Sequence, residues 1–292
     1  MRRWVARRAI AVLFLVSIPL GPRPAAAGWV IDEEVKGIDG DGRPPVRQQA
    51  MLQANRMKRV MLGADGSPTH AFILNLDAET ITTVDYQGRR YMSGTLQEFV
   101  QMTTDMMKMA QDALGQMGDV MARMRESMKN MPPEQRQLME ETMRSRMPQA
   151  GAAPQECRTP KVEVRRTGQE ATIAGYRAAQ YEVVADTRPE SEVWVARDLT
   201  AWRELDPQKL QRFGTEMAKI ARCAPGQARA GFGHADQSIE LAREGYPVRI
   251  VAKSGGTMTS EVVKAATRPL PAAEFEPPAE FTQRGLREMM GR

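Results

Sequence analysis

A block of helical sequence set between two stretches of strand sequence most constrains this chain. Residues 95–150 begin with Thr95-Leu-Gln-Glu98, the pattern of a capping box, in which the Thr hydroxyl accepts from the third amide while Glu98 reaches back. A helical pattern follows to about Asn130, Pro132-Pro133 interrupts it, and a second helix is predicted from about Glu134 to Met147. The first helix would be about 35 residues and about 50 Å long if unbroken, so Gly115 and Gly118 are the expected places for a bend or break. A helical hairpin inserted between two β segments is therefore expected, with residues 149–154 as a linker.

The flanking zones read as strands. In residues 28–94, Val46–Leu52 and Met57–Leu62 are short runs, and Ala71–Leu76 and Thr80–Tyr86 are rich in β-branched and aromatic residues. Asp77-Ala78-Glu79 and Gln87-Gly88-Arg89 punctuate them as turns, which predicts an antiparallel meander. After residue 159, strands are predicted at 161–166, 171–173, 176–185 and 192–196. Asp206-Pro207 then starts a helix with an apolar stripe of Leu210, Phe213, Met217 and Ile220. Residues 248–253 and 257–264 flank Ser254-Gly255-Gly256 as a hairpin, and a short tail helix is predicted over 282–290. The two β zones do not repeat each other and are best read as one sheet interrupted by the helical insertion.

Residues 1–27 have the parts of a secretory signal: Arg2, Arg3, Arg7 and Arg8, an apolar run from Ala9 to Leu20, and Ala25-Ala26-Ala27 before Gly28. The apolar run is interrupted by Pro19, Gly21 and Pro22 and is short for a membrane span of about 20 residues. Cleavage after Ala27 and a periplasmic location without a transmembrane anchor are expected. The net charge of +5 resides wholly in this segment, and the remainder carries 36 basic and 36 acidic residues. The basic pI near 9.3 is thus no argument for nucleic-acid binding, which needs a basic surface on the folded domain. An oxidising compartment permits disulfides, and Cys157 and Cys223 are read as one bridge.

No catalytic motif stands out. The chain has only His70 and His234, which excludes a multi-histidine metal site, and HExxH, GxSxG, GxGxxG and the phosphate-loop pattern are absent. Asp39 and Asp41 resemble part of a calcium loop but lack its terminal bidentate Glu. The expectation is a non-enzymatic protein without a cofactor.

Methionine is the abnormal residue: twelve of 21 fall between Met102 and Met147. Met117, Met121, Met124, Met128 and Met131 step by 4, 3, 4 and 3, one seam of a helix, and Met102, Met106 and Met109 start a similar one. Three roles are open to these seams. They can pack as core, offer an adaptable surface to apolar ligands, or bind Cu(I), which soft thioethers select.

The stretch FILNLDAETITTVDYQGRRYMSGTLQEF (72–99) and the stretch IAGYRAAQYEVVADTRPESEVWVARDL (173–199) resemble two signatures of a periplasmic family, domain of unknown function 4412; FEPPAEF (275–281) resembles its closing strand. That family is similar in architecture to carriers and sensors of the LolA, LolB and RseB type. The resemblance implies an α+β fold: a curved antiparallel half-barrel closed by helices, spanning residues 28–292 as a single LolA-like domain with its helical insertion at 95–150. It implies no catalytic residues. The resulting expectation is a binder of lipid or another apolar ligand, using the Met seam with Phe72 and Leu74. The alternatives are a Cu(I) protein, with Met102, Met106 and Met109 as metal candidates, and an envelope protein-interaction module.

Overall fold

The computed structural model describes residues 27–37, 44–128, 161–223, 241–253 and 257–285, together with Pro132 and Glu288. Strands from both zones join one 12-stranded sheet, curved and unclosed. The first zone supplies β1 (Ala27–Lys36), β2 (Val46–Gln53), β3 (Arg56–Leu62), β4 (Pro68–Asn75), β5 (Thr80–Asp85) and β6 (Arg90–Thr95). The second supplies β7 (Val162–Ile173), β8 (Tyr176–Ala185), β9 (Arg188–Ala196), β10 (Tyr246–Ala252), β11 (Met258–Pro269) and β12 (Thr282–Gln283). Strands β1–β6 and β7–β11 are each a meander of consecutive antiparallel neighbours, and the long β1–β11 pair, from Ala27↔Pro269 to Lys36↔Thr259, welds the two together.

The helix α1 (Leu96–Met128) leaves β6 near one edge of this sheet, and the chain re-enters at β7, the opposite edge strand. Ten inter-strand steps separate β6 from β7, about 48 Å at the usual spacing. The 33 residues of α1 are about 50 Å long, so the helix is of the same order as the sheet is wide. It runs without the expected break: Gly115 lies inside the helix, and a Cβ there would meet nothing within 4 Å. A solvated glycine costs a helix only about 1 kcal/mol, too little to end one this long. The second predicted helix, the linker, Met131 and Cys157 fall outside the described residues, as do residues 1–26, Asp39, Asp41 and His234.

The predicted tail helix is corrected at its start. Thr282 and Gln283 form β12, which pairs in parallel with Arg90 and Tyr91 of β6. The segment before it explains why: Leu270, Phe275 and Phe281 lie on Met51, Val60, Ala71, Ile73 and Val84, forming a core on one face of the first meander. The chain is thereby delivered to the open edge of β6. Lys58 is buried on this same face, flanked across the strands by Met51 and Ile73, and burial lowers its pKa although Glu274 partly opposes the shift.

The opposite face carries the helices and the main core. Trp29, Leu52, Met57, Leu74 and Ile81 follow one another across β1 to β5, and α2 (Pro207–Cys223) packs on this cluster with Leu210, Phe213 and Met217. Leu96 and Phe99 of α1 join them.

Candidate functional site

Local hydrogen bonding fixes both helix starts. At α1 the capping box forms as expected: Thr95 N donates to Glu98 Oε2 at 2.7 Å, and Glu98 N donates to Thr95 Oγ1 at 3.2 Å. At α2, Gln208 N and Lys209 N donate to Asp206 Oδ1 at 2.8 and 3.0 Å. The Asp206 amide itself donates to Asn55 Oδ1 at 2.7 Å, and Asn55 N donates to Glu204 O at 2.8 Å. Asn55 holds φ of 62° in the tight β2–β3 turn, a left-handed conformation that Asn tolerates better than most residues. Its side-chain Nδ2 donates to Asp77 Oδ1 at 2.9 Å, and Lys209 Nζ donates to the same oxygen at 2.5 Å. The β2–β3 turn is thus a clasp that sets α2 on the sheet.

Between α2, the first turn of α1 and the β4–β5 corner lies a groove of about 850 Å³. Leu74, Leu76, Leu96 and Phe213 give it apolar walls, and Glu79, Lys209, Arg212 and Glu216 stand among its polar residues. Arg212 Nη1 lies 3.6 Å from Glu79 Oε1, so part of the rim charge is internally compensated. The volume is in the range that holds a small apolar ligand.

Of the residues singled out from sequence, Leu74 lines this groove and is almost fully buried, while Phe72 is partly buried in the same core, opposite Arg59 and Thr83. Met102 is half-buried and Met109 is 63% exposed. The side chains of Met106, Met117, Met121, Met124 and Met128 lie outside the description, although their backbone is in α1. Cys223 is the last residue of α2, and its pairing with Cys157 lies outside the described residues. His70, opposite Asp85 on β5, carries no nucleophile or metal partner among the described residues, where no cluster of His, Cys, Asp or Glu could hold a metal. Among those residues no helix is long and apolar enough to cross a membrane.

Sequence reasoning missed a buried polar knot on the helix-bearing face. Glu33 is 5% exposed and follows Trp29 and Ile31 at alternating positions, so its carboxylate enters the core side. Tyr246 Oη donates to Glu33 Oε1 at 3.0 Å, Gln48 Nε2 donates to Oε2 at 2.5 Å, and Arg59 Nη2 lies 3.9 Å from Oε1. Burial opposes the charge of Arg59, but the Glu33 carboxylate and Tyr246 outweigh it and raise its pKa. Burial, then the charge of Glu33, pushes the Tyr246 phenol well above its ordinary range. Trp202 stacks on Tyr246 with ring centroids 5.3 Å apart, and its buried indole N–H has no acceptor among the described residues. An acid in register with Trp29 and Ile31 was the available signal.

The fold and groove define a curved-sheet protein with one helix-bearing face, built to bury apolar surface beside a polar knot. The chain belongs to the family described as Domain of unknown function (DUF4412), whose family model matches residues 95–281. The match starts at Thr95, so most of the first quoted signature precedes it. No curated protein matches the chain. Similar solved structures include an uncharacterized conserved protein from Thermus thermophilus, at 9% identity and TM-score 0.39, covering 88% of this chain and 90% of that one. The MucA/MucB complex of Pseudomonas aeruginosa aligns at 10% identity and TM-score 0.34, over 88% of this chain and 57% of that one. A LolA superfamily protein, NE2245 from Nitrosomonas europaea, aligns at 8% identity and TM-score 0.28, over 85% and 89% of the two chains.

Proposed function

We infer that this is an exported, non-enzymatic protein of the periplasm that binds a lipid or another apolar ligand in a LolA-like half-barrel. The observation that carries the reading is the groove between α1 and α2, with walls of Leu74, Leu76, Leu96 and Phe213. An apolar ligand of ordinary size gains about 25 cal/mol per Å² that it removes from water, and the charged rim leaves a polar end hydrated. Leu96 brings the first turn of α1 to this groove; the Met seam further along the same helix, including Met117, Met121 and Met124, would offer a separate adaptable surface to apolar ligands. A bridge between Cys157 and Cys223 would tie the end of α2 to the segment that follows α1.

Exposed Met109 and Val120 on α1 favour a second reading, an interaction surface for an envelope protein. Native mass spectrometry of the protein purified gently from the periplasm separates the two. A co-purifying mass of lipid size supports the ligand reading. A bare chain that captures an envelope protein, and no small molecule, refutes it.

A further inference from the structure

A second groove lies on the other flank of α2, where the 3-10 turn Ala201–Glu204 and the approach to β10 meet. It measures about 750 Å³. Leu199, Leu205 and Leu210 give it an apolar floor, the first two almost fully buried. Among the described residues its charges do not balance: Arg197, Arg203 and Arg243 line it against Glu244. Glu244 is already engaged, accepting from Arg197 Nη2 at 2.7 Å and from Tyr181 Oη at 3.4 Å. Arg203 and Arg243 are exposed and carry no ion pair among the described residues. Trp202 also lines the groove, held in place by its stack on Tyr246, and its buried indole N–H lacks an acceptor among the described residues.

Gly245 fixes the shape of one wall. Its φ is 149°, and a Cβ there would lie 2.2 Å from the Ala196 carbonyl oxygen, so the backbone passes β9 at a distance only glycine allows.

Apolar floor, two uncompensated guanidinium groups and a fixed aromatic ring are the complement of one ligand class. We propose that this groove binds a single-chain anionic amphiphile, with its hydrocarbon chain on Leu199, Leu205 and Leu210 and its phosphate or carboxylate head on Arg203 and Arg243. The guanidinium fork matches such oxyanions with paired hydrogen bonds. The site is distinct from the α1–α2 groove and does not depend on that groove being occupied.

The test is titration of the mature protein with dodecyl phosphate below its micelle concentration, followed by calorimetry and tryptophan fluorescence. Dodecyl maltoside serves as the neutral probe and inorganic phosphate as the chainless one. Saturable binding of dodecyl phosphate is expected, at least tenfold weaker in the double variant Arg203→Gln/Arg243→Gln, whose thermal unfolding matches the parent. Phe213→Ala, in the other groove, should leave that affinity unchanged. Dodecyl maltoside binding that is lost in the double variant, inorganic phosphate binding as tight as that of dodecyl phosphate, an unaffected double variant, or no binding of dodecyl phosphate overturns the proposal. Dodecyl maltoside binding that is lost in Phe213→Ala and kept in the double variant reports the first groove, and if dodecyl phosphate then shows the same pattern the first groove stands while the second fails.

Discussion

Replacing Tyr246 by Phe removes one hydroxyl from the buried knot and leaves the ring, its stack on Trp202 and its packing in place. The hydroxyl donates at 3.0 Å to the carboxylate of Glu33, a residue only 5% exposed, and a hydrogen bond to a charged group contributes about 1.5–3 kcal/mol. A loss of about 2 kcal/mol at pH 7 is therefore expected. The pH dependence is sharper. The folded phenol has its pKa raised well above the ordinary value, so the folded chain keeps a proton that the unfolded chain releases above about pH 10. The stability contributed by this group is fully present below about pH 10 and is lost as pH rises toward the folded value. At pH 11 that loss is about 1.4 kcal/mol for one group. Phenylalanine has no such dependence, so the gap between parent and variant should shrink from about 2 to about 0.6 kcal/mol between pH 7 and pH 11. Urea unfolding at both values of pH measures it. A gap that stays constant refutes the claim that Tyr246 is buried and neutral beside Glu33.

Four further outcomes follow from the same geometry. Asn55→Ala removes the acceptor of the Asp206 amide and strains a left-handed turn, and denaturant unfolding should register a loss of about 2 kcal/mol. Asp206→Ala deletes only the N-cap of α2 and should cost about 1 kcal/mol in the same assay. Lys58→Met removes an ammonium whose charged form burial disfavours, so the variant should be more stable at pH 7, with the gain narrowing as pH rises through the lowered pKa of Lys58. Met117, Met121 and Met124 changed together to Leu should fold normally by circular dichroism, since this exchange is well tolerated; loss of stoichiometric Cu(I) binding in that variant would favour the metal reading of the seam, and retained binding would remove it.

The order of elements was largely legible because turns and helix caps are local. The Thr95–Glu98 box and the Asp206 cap have the hydrogen bonds their sequences call for. The Asp77-Ala78-Glu79 turn is stabilised by Asn75, whose side-chain oxygen accepts from the amides of Asp77 and Ala78. What went unread depends on distant partners. No individual strand is legible over Ala27–Lys36, where Asp32-Glu33-Glu34 interrupts the apolar pattern, yet β1 sits mid-sheet because β2 and β11 flank it and Gln49, Gln48 and Tyr246 donate to the acids. Thr282 and Gln283 read as the start of a helix because nothing local shows that Phe281 docks beside Tyr86, 5.5 Å between ring centroids. Of the groove, Leu74 was legible from alternation. Its opposite wall, Phe213, shows in the sequence only as part of an amphipathic stripe, since the Asn55 clasp that brings α2 over the sheet joins residues about 150 apart.

The most direct test of the ligand-binding account is site mapping with a photoactivatable fatty-chain alcohol, cross-linked to the mature protein and located by peptide mass spectrometry. The account predicts labels confined to the peptides carrying Leu74–Glu79, Leu96 and Gln208–Glu216, lost on competition with unlabelled alcohol. Labels spread evenly over the surface, or absent from those three segments, would contradict it.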